Sequence, residues 1–286
     1  MYPVILRADA LAAGMSPAAI GRMLRRGRWI RLHHGVYVEA GTELSPDLRA
    51  AAALRVSGPA VASHQTAARV HGIEVVTFGK DAPTVEHVTR RARGRPRPTL
   101  IVHGRRLPRA DHMIVRGNPV TTAIRTVRDL LLDADRLTAI WAAEDALRFR
   151  YVDAAELGAA LEEATGQRAI RTARERFAMI EPRSESPLET GVRLLAHDAG
   201  LPALEPQIPV LSGRYRIDLG YRRFRLGIEC DGKAHEKVRA LYSDRVRANA
   251  LEGLGWRLIR FTWSDLMSRP EYIVTTIRAA ISGMAA

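Results

Sequence analysis

The sequence predicts a multi-domain α/β protein made of three segments, over residues 1–42, 43–180 and 183–286. Two short helices around a tight turn open the chain. An α+β middle segment with a dense run of arginines follows, and two strands with clean alternation lie between helices near the C-terminus. A length of 286 residues is sufficient for two or three domains.

The charge balance favours a polyanionic partner. The chain has 44 lysines and arginines against 31 aspartates and glutamates, a formal net charge of +13, and its lysines are Lys80, Lys233 and Lys237 alone. Arginine suits phosphate because its planar fork donates two hydrogen bonds at once. A GC-rich genome also produces chains rich in arginine and alanine, so charge alone leaves both explanations open.

Composition excludes several other classes. Hydrophobic residues make up 47% and charged residues 26%, which is typical of a folded protein rather than a disordered one. The single cysteine, Cys230, excludes an internal disulfide and a cysteine-rich zinc site. No apolar run approaches the ~18 residues that span a bilayer, and the first residues lack a leader pattern. We therefore expect a cytoplasmic protein with no membrane partner.

The first forty residues predict a winged helix-turn-helix. A short helix over 9–13 is followed by Ser16, which is a favourable N-cap for a second helix over about 17–26. Two β-type runs, at 29–32 and 36–38, then predict the wing. A charged helix after a tight turn is the geometry that enters a DNA major groove, although a winged helix can also contact protein alone. We expect DNA contacts from Arg22, Arg25, Arg26, Arg28 and Arg31.

The opening segment resembles a known regulator domain. The likeness is carried by residues 11–16 (LAAGMS), 27–29 (GRW) and 31–37 (RLHHGVY). These residues resemble the N-terminal winged-helix domain of AbiEi-like type IV antitoxins, in which that domain acts as a transcriptional regulator. The resemblance implies DNA as a partner and admits a cognate toxin protein as a second one.

The middle segment carries the densest positive charge in the chain. Nine arginines lie between residues 86 and 116, against the two acids Glu86 and Asp111. This arginine-rich loop either follows a phosphate backbone or is a solvated hairpin tip, and it lacks aromatic residues for base stacking. The candidate phosphate contacts there are Arg90, Arg91, Arg93 and Arg95.

Histidines in this middle segment show no zinc-type spacing. They stand at positions 64, 71, 87, 103 and 112, without the short intervals that typical zinc motifs use. We therefore expect capping, surface or core roles for them.

The candidate chemistry lies in the C-terminal segment. Two predicted strands, over 215–221 and 224–231, alternate cleanly between apolar and polar residues. Their apolar residues take one face, so Asp218, Glu229 and Asp231 share the other. Three acids on one face repel one another unless something positive binds among them.

The predicted register depends on the turn between these strands. If Arg222 and Arg223 form a two-residue hairpin turn, Tyr221 lies opposite Phe224. The same register places Asp218 opposite Gly227. The strand prediction therefore also predicts the geometry of the site.

That geometry would accommodate one divalent cation. Asp218 then lies opposite Gly227 and diagonal to Glu229, with the two acidic Cβ atoms about 7 Å apart or less. Gly227 leaves room for an ion or for substrate. Carboxylate ligands suit Mg²⁺ or Mn²⁺, and such an ion polarises a phosphodiester and lowers the pKa of an attacking water. The acids could instead form surface ion pairs with nearby arginines.

A helix and a further strand complete the predicted core. Lys233 and His235 lie at the start of a long predicted helix that includes Arg245 and Arg247, and residues 256–261 predict a strand. Together with the helix that begins after Ser186, this gives an α-β-β-β-α-β core. The two helix arginines are further candidate DNA contacts.

The C-terminal segment resembles a nuclease domain. The likeness covers about residues 183–280 and is carried by Asp218, the 229–232 stretch (ECDG), His235, the DR-R-N pattern over 244–249 and the 255–261 stretch (GWRLIRF). It resembles the domain related to very-short-patch-repair endonucleases, in the PD-(D/E)XK superfamily.

This resemblance implies site roles. Asp218 and Glu229 would be metal ligands, Glu189 the acid of the first helix, and His235 a proton-transfer residue. Where the superfamily usually has lysine two residues after the second acid, this chain has Asp231, and Lys233 or His235 would have to replace that charge. Glu189 could alternatively complete a capping box with the N-cap serine three residues earlier.

Two hypotheses follow. The first is a DNA-binding protein with a Mg²⁺- or Mn²⁺-dependent endonuclease domain, and its catalytic candidates are Glu189, Asp218, Glu229, Asp231, Lys233 and His235. The second is a DNA-binding regulator, antitoxin-like, that keeps the nuclease fold without activity; the missing lysine favours it.

Overall fold

The computed structural model describes residues 2–76, 84–95, 97–231 and 238–283, and it does not describe the side chains of 238–245. It divides into two compact units, Met1–Phe177 and Ala178–Ala286. Within the described ranges the protein is a mixed α/β molecule with three sheets and twelve α-helices. None of the described helices is long and apolar enough to cross a membrane.

The first unit begins with a small antiparallel sheet and two helices. The strand order is β1-β3-β2. Ser16 caps the second helix, because its side chain accepts a hydrogen bond from the Ala19 backbone N–H at 3.1 Å. Stacked Trp29 and Tyr37 rings, 5.6 Å apart, anchor the small core. The elements are β1 (Ile5–Leu6), α1 (Arg7–Ala12), α2 (Pro17–Arg25), β2 (Trp29–His33) and β3 (Val36–Glu39).

The rest of the first unit is a five-stranded mixed sheet with helices. Its strand order is β6-β5-β4-β8-β7, with β5 parallel to β6 and β4 parallel to β8. The sheet elements are β4 (Val61–Ala62), β5 (Glu86–Arg90), β6 (Leu100–Gly104), β7 (His112–Val115) and β8 (Asn118–Thr121). The helices are α3 (Pro46–Ser57), α4 (His64–His71), α5 (Ala123–Asp133), α6 (Arg136–Arg148), α7 (Ala154–Glu163) and α8 (Ile170–Phe177).

Helix α5 carries a buried ionic network. Asp129 is fully buried, and it accepts hydrogen bonds from Arg125 Nε at 2.8 Å and from Arg105 Nη1 at 3.1 Å. The Arg125 guanidinium also contacts Asp111. Buried charges are retained only when they are paired in this way.

The second unit contains a four-stranded sheet in the order β12-β11-β10-β9. β11 and β12 run parallel, and the other neighbours are antiparallel. The strands are β9 (Glu205–Val210), β10 (Tyr215–Tyr221), β11 (Leu226–Asp231) and β12 (Arg257–Thr262). The helices are α9 (Pro187–Asp198), α10 (Val238–Gly253), α11 (Trp263–Ser268) and α12 (Pro270–Ser282).

The predicted register of the hairpin is wrong by two residues. Tyr221 pairs with Leu226 rather than with Phe224. The connection between the strands consists of a 3₁₀ turn over Arg222–Phe224 followed by Arg225, whose backbone lies in the left-handed region at φ 46°. Its four residues replace the expected two. An even slip moves the pairing without turning any side chain to the other face of its strand.

The slip also changes what lies beside Gly227. This glycine pairs with Gly220 and not with Asp218. A Cβ at position 227 would stand 2.6 Å from Leu258 Cδ2 and 2.9 Å from Ile217 Cγ2, so apolar side chains already occupy the space that we expected for an ion. Gly227 is required for close packing instead.

A second close approach joins two helices of this unit. A Cβ at Gly191, on α9, would stand 2.4 Å from Leu266 Cδ2 on α11. Leu266 is buried, so this side chain has little space to move away.

Candidate functional site

Asp218 is the centre of the candidate site. The last regular β10–β11 pair is Leu219 with Ile228, and next to it the Cys230 backbone N–H donates to Asp218 Oδ2 at 2.8 Å. Where the regular β10–β11 pairing ends, the Cys230 N–H is therefore bound by the Asp218 side chain and not by a backbone carbonyl. Burial, together with the nearby charges of Glu229 and Glu189, raises the pKa of Asp218 from 3.8 to about 6.

Glu229 is held by an arginine of α10. Arg247 donates to both Glu229 carboxylate oxygens, at 2.7 and 2.8 Å, and also to the Arg216 carbonyl. A bidentate guanidinium pair of this kind fixes the carboxylate in one orientation. The structure thus places a predicted DNA-binding arginine against a predicted metal ligand.

Glu189 has a structural role as well as a position near Asp218. Its carboxylate accepts from Ser186 Oγ at 2.8 Å and from the Glu185 backbone N–H at 2.9 Å, while the Ser186 hydroxyl accepts from the Glu189 N–H. These contacts fix the start of α9. Burial raises the pKa of Glu189 as well.

Sequence reasoning missed Gln207. Its Nε2 donates to Glu189 Oε2 at 2.7 Å, and its Oε1 is buried without a hydrogen-bond partner in the described structure. The strand register places Gln207 beside Asp218, because Ile208 pairs with Ile217 and Pro206 with Leu219. A buried acceptor without a donor is costly, and a bound cation would satisfy it.

The other predicted site residues are placed less centrally. Asp231 is exposed at the end of β11. Cys230 is partly buried, and burial raises the pKa of its thiol far above the ordinary value, which does not suit a nucleophile. Lys233 and His235 lie outside the described residues, as does the side chain of Arg245.

The donor chemistry of these residues fits a hard divalent cation. Asp218 and Glu229 offer carboxylates, and Gln207 offers an amide oxygen. Among the described residues, these acids do not form a group of three ligand atoms within 4.8 Å. A cation here would have two close carboxylate ligands at most, which is the usual number for Mg²⁺, and it would compete with Arg247 for Glu229.

The predicted DNA-contacting arginines of the first unit lie on its surface. Arg22, Arg25, Arg26, Arg28 and Arg31 are all exposed, as are Arg91, Arg93 and Arg95. Arg90 differs, because it is partly buried and donates to the Ser57 and Ala92 carbonyls at 3.0 Å each.

A cavity of about 680 Å³ lies beside the arginine-rich loop. Its lining includes Arg90, Arg91, Arg105 and Arg106. Arg105 is paired with Asp129 and Asp133, so the excess positive charge that this surface offers to phosphate comes from the other three arginines. Arg105 and Arg106 were not among the predicted contacts, because the sequence pattern alone does not show that β5 and β6 are neighbours.

Three histidines of the middle segment lie close together in the structure. His64, His87 and His103 each offer one ring nitrogen, and these nitrogens lie within 4.8 Å of one another. Desolvation lowers the pKa of His87 to about 2 and of His103 to about 3. Strand pairing between β5 and β6 and the start of α4 bring together residues that no local spacing connects.

Comparisons with known proteins agree with the two ends of the chain. Residues 2–40 match the family AbiEi_4, described as "Transcriptional regulator, AbiEi antitoxin". Residues 197–281 match the restriction-endonuclease-like family REase_MTES_1575. The composite resemblance seen in the sequence is therefore confirmed. The second match includes Asp218 and Glu229 but begins after Glu189.

Two curated relatives are similar along most of their length. They are "Uncharacterized protein MT2308" of Mycobacterium tuberculosis strain CDC 1551 / Oshkosh and "Uncharacterized protein Rv2248" of strain ATCC 25618 / H37Rv. Each is 28% identical to this chain over 261 residues, which covers 89% of this chain and 93% of the relative. The combination of segments is thus shared beyond this one chain.

Proposed function

We propose that this protein binds DNA and that its C-terminal unit is a divalent-metal-dependent endonuclease. In this interpretation residues 1–42 form a winged helix, 43–180 a basic middle domain, and 183–286 a PD-(D/E)XK-type domain related to very-short-patch-repair endonucleases. The element order α9, β9, β10, β11, α10, β12 supports the last assignment. So does the restriction-endonuclease-like match.

One observation carries the proposal. Asp218 is a half-buried carboxylate with Glu189 and Glu229 nearby, beside a buried Gln207 oxygen that has no donor among the residues that the structure describes. Grouped acids and an unsatisfied acceptor are costly for stability alone, and both are relieved by a cation. Strongly perturbed carboxylates in such groups are typical of functional sites.

The residues have separable roles in this mechanism. Asp218 and Glu229 would hold Mg²⁺ or Mn²⁺, which when bound polarises the phosphodiester and acidifies a water molecule. Glu189 would orient Gln207, whose Nε2 it binds, so that the Gln207 oxygen is a further ligand, and Asp231 would complete the polar edge of the site. Lys233 and His235 remain the candidates for proton transfer and charge stabilisation.

Plasmid nicking tests the proposal. The full chain is incubated with supercoiled DNA and Mg²⁺ or Mn²⁺, next to Glu229→Gln and the matched control Glu205→Gln, whose carboxylate makes an exposed ion pair with Arg222. We expect metal-dependent nicking by the wild type and the control, a loss of at least ~100-fold in Glu229→Gln, and similar DNA affinity for all three. Equal nicking by Glu229→Gln would refute the ligand assignment.

A second candidate function is a DNA-binding regulator without nuclease activity. Arg247 favours it, because this guanidinium already neutralises Glu229 at 2.7 Å and Asp231 stands where the superfamily lysine is usual. The AbiEi antitoxin match also favours it, and a cognate toxin protein is the partner that this match suggests.

DNA binding without scission would select this second function. In a salt titration of DNA affinity, Arg22→Ala and Arg25→Ala are each expected to reduce the salt dependence by about one phosphate contact. The buried-site variant Glu229→Gln is expected to leave that dependence unchanged. Nicking that requires Glu229 would exclude a purely regulatory role.

A further inference from the structure

The histidine cluster belongs to the first unit, the acidic site belongs to the second, and the cluster has no role in the proposed cleavage. His64 begins α4, His87 lies on β5, and His103 lies on the neighbouring strand β6. His64 is fully buried, and the other two are partly buried. Three imidazoles gathered below the surface are a polar group that ordinary apolar packing does not require.

The distances between the rings are close to those around a bound metal. His87 Nδ1 lies 3.0 Å from His103 Nε2, and the His64 and His103 rings are stacked with centroids 3.7 Å apart. Two nitrogens that each lie 2.0–2.1 Å from a tetrahedral zinc ion are about 3.3 Å apart. A shared ion lies in the plane of every ligating ring, so binding requires one stacked ring to rotate, while the backbone can stay in place.

His64 is oriented at both ring nitrogens. Ser63 Oγ lies 2.9 Å from Nδ1, and Asp133 Oδ2 lies 3.0 Å from Nε2. A metal ion would bind one ring nitrogen, and the other nitrogen would keep its hydrogen bond to its present partner. That hydrogen bond fixes the tautomer of the ring. Asp133 in turn pairs with Arg105. Carboxylates that support histidine ligands in this manner are a usual part of metal sites.

His64 also has an unusual backbone conformation. Its φ is 50°, in the left-handed region that residues with a side chain seldom adopt. Such a conformation is strained and persists where the surrounding structure holds it, most often at functional sites. Here it sets the first residue of α4 against the two strand histidines.

A cavity provides an entry path. About 560 Å³ in volume, it is lined by His103 and Asp133, together with Arg93, Arg105 and Arg168. The cluster therefore meets solvent on the His103 side. An ion bound by three histidines would have an open coordination position there, as zinc ions with three protein ligands do.

From this arrangement we infer that the first unit binds a transition metal ion, Zn²⁺ in preference to Mg²⁺, through His64, His87 and His103, with Asp133 as the positioning carboxylate. Three neutral nitrogen donors suit zinc and its neighbours in the first transition row, whereas Mg²⁺ requires oxygen ligands. This site is chemically distinct from the carboxylate site of the second unit.

Metal binding by the full chain tests the inference. The purified protein is stripped with a chelator, titrated with Zn²⁺, and examined with Co²⁺ as a spectroscopic probe of the ligand set. We expect one tightly bound Zn²⁺ per chain and a visible Co²⁺ spectrum of nitrogen ligation at low coordination number. His87→Gln and His103→Gln should each weaken binding by at least ~100-fold, and Asp133→Asn by about 10–100-fold.

Three controls make the outcome specific. His112→Gln changes a histidine of the same unit outside the cluster, and Glu229→Gln removes a ligand of the other candidate site; both should keep zinc affinity unchanged. Zn²⁺ should raise the melting temperature of the wild type and not that of a folded His103→Gln protein. Equal zinc binding by wild type and His103→Gln, or Co²⁺ spectra that show oxygen ligands alone, would overturn the inference.

Discussion

Replacing Asp218 by asparagine should stabilise the second unit while abolishing its proposed activity. Asparagine has nearly the same shape, and its amide oxygen can still accept the hydrogen bond that Cys230 N–H donates. It carries no charge, however. The substitution therefore isolates the energetic cost of a buried carboxylate from the loss of a hydrogen bond.

The expected magnitude follows from the pKa of Asp218. Burial and neighbouring acids raise it from 3.8 to about 6, so between these pH values the folded chain keeps a proton that the unfolded chain has released. Stability must therefore fall as pH rises through this window and remain lower above it. At about 1.4 kcal/mol per pKa unit, a shift of roughly two units costs up to ~3 kcal/mol.

Asp218→Asn should thus be more stable than wild type by up to ~3 kcal/mol near neutral pH, and the two should converge near pH 4. Urea denaturation at both pH values gives the difference, and hydrogen exchange of β10 and β11 peptides reports the second unit separately. Added Mg²⁺ or Mn²⁺ should stabilise the wild type alone, because the variant lacks the ligand charge.

The exposed Asp231→Asn is the matched control, and its pH dependence should follow that of the wild type. If Asp218→Asn proves no more stable than wild type near neutral pH, the carboxylate has no desolvation cost. The site then has no energetic requirement for a cation.

Three further perturbations have expected outcomes. Burial lowers the pKa of His87 and His103, so below pH ~6.5 the unfolded chain binds two protons that the metal-free folded unit does not. The first unit should therefore lose up to about 2.7 kcal/mol of stability per pH unit in urea denaturation, and His103→Gln should halve this slope. Gly191→Ala should lower the melting temperature of the second unit, at a cost of about 1–3 kcal/mol, because its Cβ would overlap Leu266. Arg125→Ala should cost about 3–5 kcal/mol in denaturation of the first unit, because it removes a partner of buried carboxylates.

Each of these has a comparison variant. His112→Gln should keep the acid-dependent slope of the first unit. Gly253→Ala, where a Cβ would meet nothing within 4 Å, should leave the second unit intact. Arg171→Ala breaks an exposed ion pair with Glu175 and should leave stability unchanged. If a variant and its comparison behave alike, the local contact does not cause the effect.

Local signals in the sequence were sufficient for many elements. The structure has α2 at Pro17–Arg25, where the sequence predicts a helix over about 17–26. This helix has a serine N-cap and begins with a proline, and both signals act within a few residues. Strand β9 was not predicted, because Pro206 and Pro209 do not suit a strand except at the edge of a sheet, where β9 lies.

The site was less predictable, since it depends on contacts between distant residues. The sequence offers no signal that Arg225 adopts the left-handed conformation, and so the turn length and register could not be derived. Likewise, Arg247 on α10 binds Glu229 on β11, a contact that the sequence does not reveal. From its charge alone, Arg247 was interpreted as a DNA contact. The alternation of polar and apolar residues nevertheless identified Asp218 and Glu229 as neighbours on one face of the sheet. A register shift of two residues leaves each side chain on the same face of its strand.

If Glu229 holds the proposed cation, its contact with Arg247 makes two binding events interdependent. An anion that attracts Arg247 leaves the Glu229 carboxylate uncompensated, and its affinity for a cation must then rise. Thermodynamic linkage makes the effect reciprocal, so a cation on Glu229 would release Arg247 and strengthen anion binding by the same factor. The ion pair would then lower the affinity for either ligand alone and favour simultaneous binding of both.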